Sequence, residues 1–220
     1  MTDAQQQIIE RALRTAFGTA TYDEVAPVRG GMSGALLLRM VVAGRAYLVR
    51  VGGSPHANAA TEMANVRGAA EAGIAPRLHY ASVEDRAMIT DFIEPRPWTR
   101  GAGLQVAALI GRLQTLPPYE RAMHQIDITR GMVARYRAAR LGADAQDVFD
   151  RFEQIAGVYP RNAPVACHND AKAANILFDG TRPWFVDWEA AFSNDRYADL
   201  ANSASFFSTD HDAYLAAYLG

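Results

Sequence analysis

The patterning of this chain changes in kind at Pro95 and Pro97. Before these prolines the sequence predicts mainly strands, and after them it predicts mainly helices. Two prolines in three residues favour an extended connector, because each fixes φ and disfavours helix at the residue before it. We therefore predict an α+β fold with two lobes, one over residues 1–94 and one over residues 95–220. The first lobe would be β-rich with one main helix, and the second mostly helical.

In the first lobe, apolar residues at helical spacing predict a helix over residues 3–17, followed by Gly18. A second helix is predicted over 57–72, closed by Gly73. Between and after these helices, alternating apolar stretches predict five strands, over 22–28, 35–42, 45–51, 77–82 and 86–91.

In the second lobe, apolar spacing from Leu104 to Leu116 marks one helix, which Pro117 ends. A short strand is expected over 165–167. Two apolar triplets flank Asp179 and Gly180, which is a hairpin signal. Further helices are predicted over 128–140, 144–156, 195–206 and 210–219.

Composition excludes several classes of protein. The 220 residues carry a formal net charge of −2, and no basic stripe indicates a nucleic-acid partner. No run reaches the roughly 18 apolar residues of a membrane span, and the N-terminus lacks a secretory pattern, so we expect a cytoplasmic protein without a membrane partner. A single cysteine, Cys167, rules out a disulfide within the chain and reads as a buried hydrophobe.

One short run carries most of the chemistry. Residues 168–175 read H-N-D-A-K-A-A-N, and Asp187 follows twelve residues later at the end of an apolar stretch. Asp170 could orient a hydroxyl nucleophile, Lys172 could face a phosphate, and Asn175 with Asp187 could offer oxygen ligands to Mg²⁺. His168 is expected to brace the loop by hydrogen bonds. The alternative is a polar loop between two strands with no chemistry.

Two further signals lie upstream. Gly30, Gly31, Ser33 and Gly34 fall in a turn between two strands, where backbone N–H groups could approach phosphate oxygens. A tight hairpin turn would also be glycine-rich, and the run does not match the P-loop pattern.

Arg50 ends an apolar stretch, where it could contact phosphates and pair with Glu62. An arginine whose stem lies along the surface, beside a solvated helix carboxylate, is the alternative. Phe92 and Ile93 lie where a nucleotide base could bind between the lobes.

Three segments together resemble a known family. They read V-A-C-H-N-D over residues 165–170, V-D-W-E-A-A over 186–191 and Y-A-D-L-A-N over 197–202. The chain resembles the aminoglycoside phosphotransferase and choline kinase group, which has the protein-kinase-like fold. The trio is more similar to the choline/ethanolamine kinase branch, and the resemblance runs from about Val28 to the C-terminus.

The resemblance implies roles for individual residues. Asp170 would be the catalytic aspartate, Asn175 and Asp187 would bind magnesium, and Arg50 would contact ATP phosphates while pairing with Glu62. Lys172 would contact phosphate, and the turn at residues 30–34 would cover the phosphates. ATP and Mg²⁺ are thus the implied cofactors.

The acceptor implied by the resemblance is a small-molecule alcohol. Aromatic faces and nearby carboxylates recognise a quaternary ammonium, and Trp188 and Glu189 are candidates beside Asp170. We expect an amino-alcohol such as choline or ethanolamine, with an aminoglycoside as an alternative. Family members usually continue beyond the last helix of this chain, so a nucleotide-binding pseudokinase or an incomplete chain is a further alternative. Apolar surface left open there would also allow a homodimer.

Overall fold

A computed structural model describes residues 1–28, 34–53, 58–140 and 145–220. Its first half is a five-stranded antiparallel sheet with strand order β1-β2-β3-β5-β4. The strands are β1 Glu24–Pro27, β2 Leu36–Val42, β3 Arg45–Val51, β4 Leu78–Ser82 and β5 Ala87–Asp91. All five predicted strands are present, and each neighbouring pair is antiparallel.

Helix α1, Asp3–Phe17, packs on this sheet. Thr2 caps its first turn by a capping box, and Gly18, at φ +73°, ends it. Its apolar face, with Ile9 and Leu13, joins Val49 and Ile89 of the sheet in one buried cluster. The sequence prediction for this helix is therefore confirmed at both ends.

Helix α2, Ala59–Glu71, belongs to a different core. Asn58 caps its first turn by accepting hydrogen bonds from the Ala60 and Thr61 N–H groups. Met63 and Val66 on its buried face share a cluster with Ile110 of the second half. This helix thus ties the sheet half of the molecule to the helical half.

The second half contains helices α3 Ala102–Leu113, α4 Gln125–Ala138, α5 Gln146–Val158, α6 Ala198–Phe207 and α7 His211–Leu219. Two small antiparallel ladders lie among them. One pairs β6 Val165–Cys167 with β9 Phe192–Asn194, and the other pairs β7 Ile176–Phe178 with β8 Pro183–Phe185. The predicted α+β class, with a β-rich first half and a mostly helical second half, is confirmed, and the division between residues 94 and 95 stays a prediction.

Some boundaries differ from the sequence prediction. Helix α4 begins three residues earlier than expected, because the His124 ring accepts a hydrogen bond from the Ile126 N–H. Helix α6 begins at Ala198 instead of residue 195. Asp195 is buried, and its carboxylate accepts a hydrogen bond from the Tyr197 N–H ahead of the helix.

Strand β9 is an element that the sequence reading missed. It is three residues long and carries Ser193 and Asn194, so no apolar alternation marks it. No helix in the described part of the chain combines the length and the apolarity that crossing a bilayer requires.

Candidate functional site

The loop that follows β6 is fixed by one buried carboxylate. The backbone N–H groups of His168 and Asn169 donate hydrogen bonds of 2.6 and 2.7 Å to the two oxygens of Asp199, at the start of α6. Asn169 has φ +62°, a left-handed conformation that asparagine tolerates better than most residues. The Asn169 amide donates to the Phe192 carbonyl (2.9 Å) and accepts from Asn194 (2.7 Å). The loop backbone is therefore held from two sides.

His168 connects this loop to the segment that carries Asp187. Its side chain is fully buried and stacks on Phe185 at a centroid distance of 4.8 Å. Its Nε2 lies 3.0 Å from the Val186 carbonyl oxygen, so Nε2 is the nitrogen that donates. Burial lowers the pKa of His168 to about 4, and the ring is neutral near pH 7. The structure thus places His168 as a brace between the two polar segments.

Asp170 lies at the open side of the loop. Its Oδ2 accepts hydrogen bonds of 2.7 Å from both Lys172 Nζ and Asn175 Nδ2. A short 3₁₀ turn at Ala173–Asn175 brings Asn175 back towards Asp170. The Lys172 ammonium is partly exposed, and its hydrogen bond to Asp170 raises the pKa of that lysine. These two donors position Oδ2, and among the described residues no hydrogen bond is made to Oδ1.

Asp187 follows β8 with φ +66°. Among the described residues, no hydrogen bond or ion pair engages its carboxylate. Burial raises the pKa of Asp187, and the nearby positive charge of Arg50 opposes that shift. A partly buried carboxylate without a bonded partner is the environment in which a bound cation would be stabilised.

Asn175 and Asp187 together fit a hard cation. Both hydrogen bonds donated by the Asn175 amide use Nδ2, which leaves its Oδ1 as the atom able to coordinate. Amide and carboxylate oxygens are the ligands that Mg²⁺ takes, usually with water and phosphate oxygens completing the shell. Within the described ranges, no group of three or more His, Cys, Asp or Glu side chains forms a metal site. The protein would therefore supply only part of the coordination.

Arg50 and Glu62 form a two-pronged ion pair between β3 and α2. Arg50 Nη1 donates to Glu62 Oε1, and Nη2 donates to Oε2 at 2.9 Å. The Glu62 side chain is only 3% exposed and that of Arg50 15%. Burial opposes the charge on Arg50, but the hydrogen bonds and charge of Glu62 outweigh it and raise the pKa of Arg50. The ion pair thus holds the positively charged guanidinium group of Arg50 at the polar side of the space between the two halves.

That space is a cavity of about 340 Å³, called here the central cavity. Its polar wall consists of Arg50, Glu62, Thr90, Asp91, Asn175 and Asp187. Its remaining wall is largely apolar and includes Val28, Leu37, Leu48, Val66, Met88, Phe92, Ile93, Leu177 and Phe185. A flat apolar group bearing a charged tail matches this distribution.

A second cavity of about 430 Å³ contacts the same machinery and is called the side cavity. Glu62 and Trp188 line both cavities, whereas Glu189 lines only the side cavity. Glu120 and Arg121 complete its charged lining. Burial raises the pKa of Glu189, and the charges of Asp187 and Glu62 add to the shift.

Most of the residues singled out in the sequence converge here. The central cavity is lined by Arg50, Glu62, Phe92, Ile93, Asn175, Asp187 and Trp188. Asp170 and Lys172 are hydrogen-bonded to one another beside Asn175. His168 is behind the loop, and Glu189 faces the side cavity. Gly34, at φ +72°, is described and does not line the central cavity. Gly30, Gly31 and Ser33 lie outside the described residues.

Sequence reasoning missed Asp199 and Asn194 as parts of the site. Asp199 is the fifth residue of the helix predicted over 195–206, near the end where acidic residues usually serve as caps. The sequence feature that could have indicated Asp199 was the D-L-A-N segment, in which this carboxylate precedes the apolar face of a helix. Nothing in the sequence around Asn194 marked it as a support for the loop.

Comparison with known proteins gives a consistent family. Residues 24–220 match the model described as the phosphotransferase enzyme family. A search of the curated proteins found no match.

Solved structures share the fold. A choline/ethanolamine kinase family protein from Mesorhizobium loti superimposes with TM-score 0.77 at 21% identity, over 99% of this chain and 76% of that one. The choline kinase LicA from Streptococcus pneumoniae gives TM-score 0.69 at 17% identity, over 97% and 80% of the two chains. Spectinomycin phosphotransferase in complex with ADP and spectinomycin gives 0.65 at 13%, over 97% and 79%.

Proposed function

We propose that this chain, which belongs to the phosphotransferase enzyme family, transfers the γ-phosphate of ATP to the hydroxyl of a small amino-alcohol such as choline or ethanolamine. The observation that carries the proposal is the grouping of Asp170, Asn175 and Asp187 next to the buried Arg50–Glu62 pair. Few other reactions require a hydroxyl-facing carboxylate, two oxygen ligands for a cation and a fixed guanidinium in one place.

The central cavity is suited to a nucleotide. Its apolar wall, which includes Phe92 and Ile93, would take the base, and Arg50 would face the phosphates. Glu62 holds the Arg50 guanidinium in position, so little ordering remains to be done when phosphate binds. Asn175 and Asp187 would hold Mg²⁺, which when bound offsets the negative charge of the phosphates.

Asp170 would bind the acceptor hydroxyl and take its proton late in the transfer. Lys172, held 2.7 Å from the same carboxylate, would stabilise charge on the transferring phosphate. His168 would take no proton, because its ring is buried and its Nε2–H is committed to the Val186 carbonyl.

The residues that line the side cavity support an amino-alcohol as the acceptor. Glu189 and Glu120 present carboxylates there, and Trp188 contributes an aromatic wall, which together suit a small cationic group. Aminoglycosides, which carry several amines, are the second candidate, because spectinomycin phosphotransferase shares the fold. A nucleotide-binding protein without transfer activity is the remaining alternative.

The test is product formation across a panel of alcohols. Choline, ethanolamine and several aminoglycosides would be incubated with ATP and Mg²⁺, and phosphorylated products would be detected by mass spectrometry. We expect phosphocholine or phosphoethanolamine. If only aminoglycosides are phosphorylated, the acceptor is an aminoglycoside and not an amino-alcohol. Nucleotide binding with no product from any alcohol would contradict the proposed transfer.

A further inference from the structure

A third cavity, of about 410 Å³, adjoins the central cavity and shares Ala75 and Asp91 with it. Its walls come from the end of α2, the start of β4 and the residues around β8. Three arginines line it, Arg67, Arg77 and Arg182, and we call it the arginine cavity. None of these arginines belongs to the proposed active site.

Two of the three arginines are unengaged. Arg67 and Arg77 are exposed, and in the part of the chain that the structure describes no hydrogen bond or ion pair holds their guanidinium groups. Arg182 is held in place: its Nη1 donates to the Gly73 carbonyl (3.0 Å), and its guanidinium lies 3.5 Å from the centroid of the Trp184 ring. A fixed guanidinium next to two unengaged ones is a suitable arrangement for an anion.

A fourth arginine increases the positive charge. Arg112 donates to the Ala72 carbonyl at 2.7 Å, next to the carbonyl that Arg182 uses. One nitrogen of each guanidinium lies 3.7 Å from where a Cβ of residue 73 would be, and Gly73 has φ +65°. Burial and the charge of Arg112 lower the pKa of Arg182, as expected for like charges held close together.

The local carboxylates offset only part of this positive charge, and the charge of Asp179 acts on Arg182. Asp91 is already paired with Arg45 (2.9 Å) and His79 (2.8 Å). Asp179 accepts hydrogen bonds from the Thr181 and Arg182 N–H groups and from the Trp184 indole. Glu71 is the remaining carboxylate in the lining and would oppose an anion. The arginine cavity therefore keeps an excess of positive charge.

We propose that the arginine cavity binds a phosphate-bearing small molecule. Guanidinium groups recognise phosphate through paired hydrogen bonds, and the cavity is larger than a lone phosphate requires. Arg67 and Arg77 come from α2 and the residue before β4, whereas Arg182 precedes β8, the strand that leads to Asp187. An anion held among them would link the helix that carries Glu62 to the segment that carries Asp187. The proposal does not depend on the phosphotransfer proposed above.

The test measures binding of inorganic phosphate and pyrophosphate by calorimetry, in the absence of nucleotide and magnesium. The key variant is the double substitution Arg67→Gln and Arg77→Gln, which removes exposed side chains and should fold normally. Arg182→Gln tests the fixed guanidinium, and Arg151→Gln, an exposed arginine on α5, is the matched control for charge. Arg50→Gln separates this cavity from anion binding in the central cavity.

We expect wild-type protein to bind pyrophosphate, and the double variant and Arg182→Gln each to bind about tenfold more weakly, as the loss of charge-assisted hydrogen bonds predicts. Arg151→Gln should bind like wild type, and Glu71→Gln should bind more tightly. Wild-type protein without anion affinity at millimolar concentration would overturn the proposal. So would affinity that is lost in Arg50→Gln and kept in the double variant.

Discussion

The carboxylate of Asp199 holds the backbone of the loop that carries Asp170. It is completely buried, and it receives two backbone N–H groups from residues 168 and 169. Burial raises the pKa of Asp199 to about 6, although those two hydrogen bonds act in the opposite direction. The position of the proposed catalytic aspartate is thus maintained by a second aspartate that is buried beneath the loop.

This arrangement predicts a pH dependence of stability. Because the folded pKa of Asp199 exceeds its unfolded value, the folded state binds more protons between about pH 4 and pH 6. The contribution of Asp199 to stability is therefore greatest below pH 4 and falls by about 3 kcal/mol as pH rises through 6. Asp199→Asn should lose this pH dependence while also losing one backbone hydrogen bond, because the amide nitrogen cannot accept.

Urea unfolding of both proteins between pH 4 and pH 7 measures the effect. The free energy of unfolding of wild type minus that of Asp199→Asn should decrease as the pH rises. Asp212→Asn, an exposed aspartate on α7, is the control and should follow wild type at each pH. If wild-type stability minus variant stability stays constant or increases over this range, the assignment is contradicted.

The buried ion pair gives a second prediction at this scale. Glu62→Gln removes the charge that compensates Arg50 while keeping the side-chain shape. Leaving a buried charge unpaired should lower the free energy of unfolding by about 3 kcal/mol. Glu10→Gln is the matched control, because the Glu10 side chain is 40% exposed, lies 3.8 Å from Arg14 and accepts a hydrogen bond from Gln6 that a glutamine oxygen can also accept. It should change stability by less than about 0.5 kcal/mol. Equal effects of the two substitutions in denaturant unfolding would show that burial does not strengthen this pair.

At this scale the sequence singled out residues that the structure groups at or beside the central cavity, and it missed those that support them. Asp170, Asn175 and Asp187 were recognisable from residue type and spacing, because magnesium and a hydroxyl require particular atoms. Asp199 on α6 accepts a hydrogen bond from the Asn169 backbone N–H, and Asn194 on β9 donates to the Asn169 side chain. Such contacts depend on tertiary pairing, which a one-dimensional pattern does not specify.

Among the elements, helix α3 is in unusually close contact with its neighbours. A Cβ at Gly103 would overlap the Phe207 carbonyl oxygen of α6, and one at Gly111 would lie 3.0 Å from the Tyr218 carbonyl of α7. Two glycines thus let three helices approach through their backbones. This close approach forms part of the core beneath the β6 loop.

Substitutions at two glycines test whether these helices are in such close contact. Gly103→Ala should destabilise the protein by about 2 kcal/mol, because α3 and α6 must move apart. Gly131→Ala, in the exposed interior of α4 with nothing near its Cβ position, should stabilise it by up to about 1 kcal/mol. Thermal unfolding would report opposite changes in Tm. A rise in Tm for Gly103→Ala would mean that the helices are not in such close contact.

Element prediction succeeded where local signals were strong. Helix α1 has its Thr2 cap and its Gly18 stop in the sequence, and its bounds were predicted to the residue. The start of α6 was misplaced because Asp195 reads as a helix cap but is buried, with its carboxylate 2.9 Å from the Tyr159 hydroxyl. The conformation at Asp195 therefore depends on a contact with a residue that is distant in the sequence.

On the scale of the whole molecule, the core of the described residues consists of two hydrophobic clusters, and the cluster that contains α2 lines the central cavity with Val66, Met88 and Phe185. One joins α1 to the sheet, and the other joins α2 to α3, α6 and α7. Helix α2 therefore belongs structurally to the helical half while its Glu62 reaches back to Arg50 in the sheet. The order of strands and helices predicted the α+β class, but it did not predict that α2 would share a core with the second half.

This arrangement makes the central cavity an expected nucleotide site that stabilises the whole protein. ATP with Mg²⁺ should raise Tm in wild type, because ligand that binds only the folded state stabilises it by mass action. The rise should require Arg50, which lines the cavity, and should be unaffected by Arg151→Gln on α5. No shift in Tm with ATP at millimolar concentration would contradict a nucleotide site there.

The most direct test of the central claim is magnesium-dependent release of ADP from ATP in the presence of an acceptor alcohol. It would be measured for wild type, Asp170→Asn and Asp187→Asn, with circular dichroism confirming that each variant is folded. We predict acceptor-stimulated release by wild type and a loss of about 10³-fold or more in each variant, because each removes an interaction made in the transition state. Folded Asp170→Asn or Asp187→Asn protein with wild-type turnover would contradict the account.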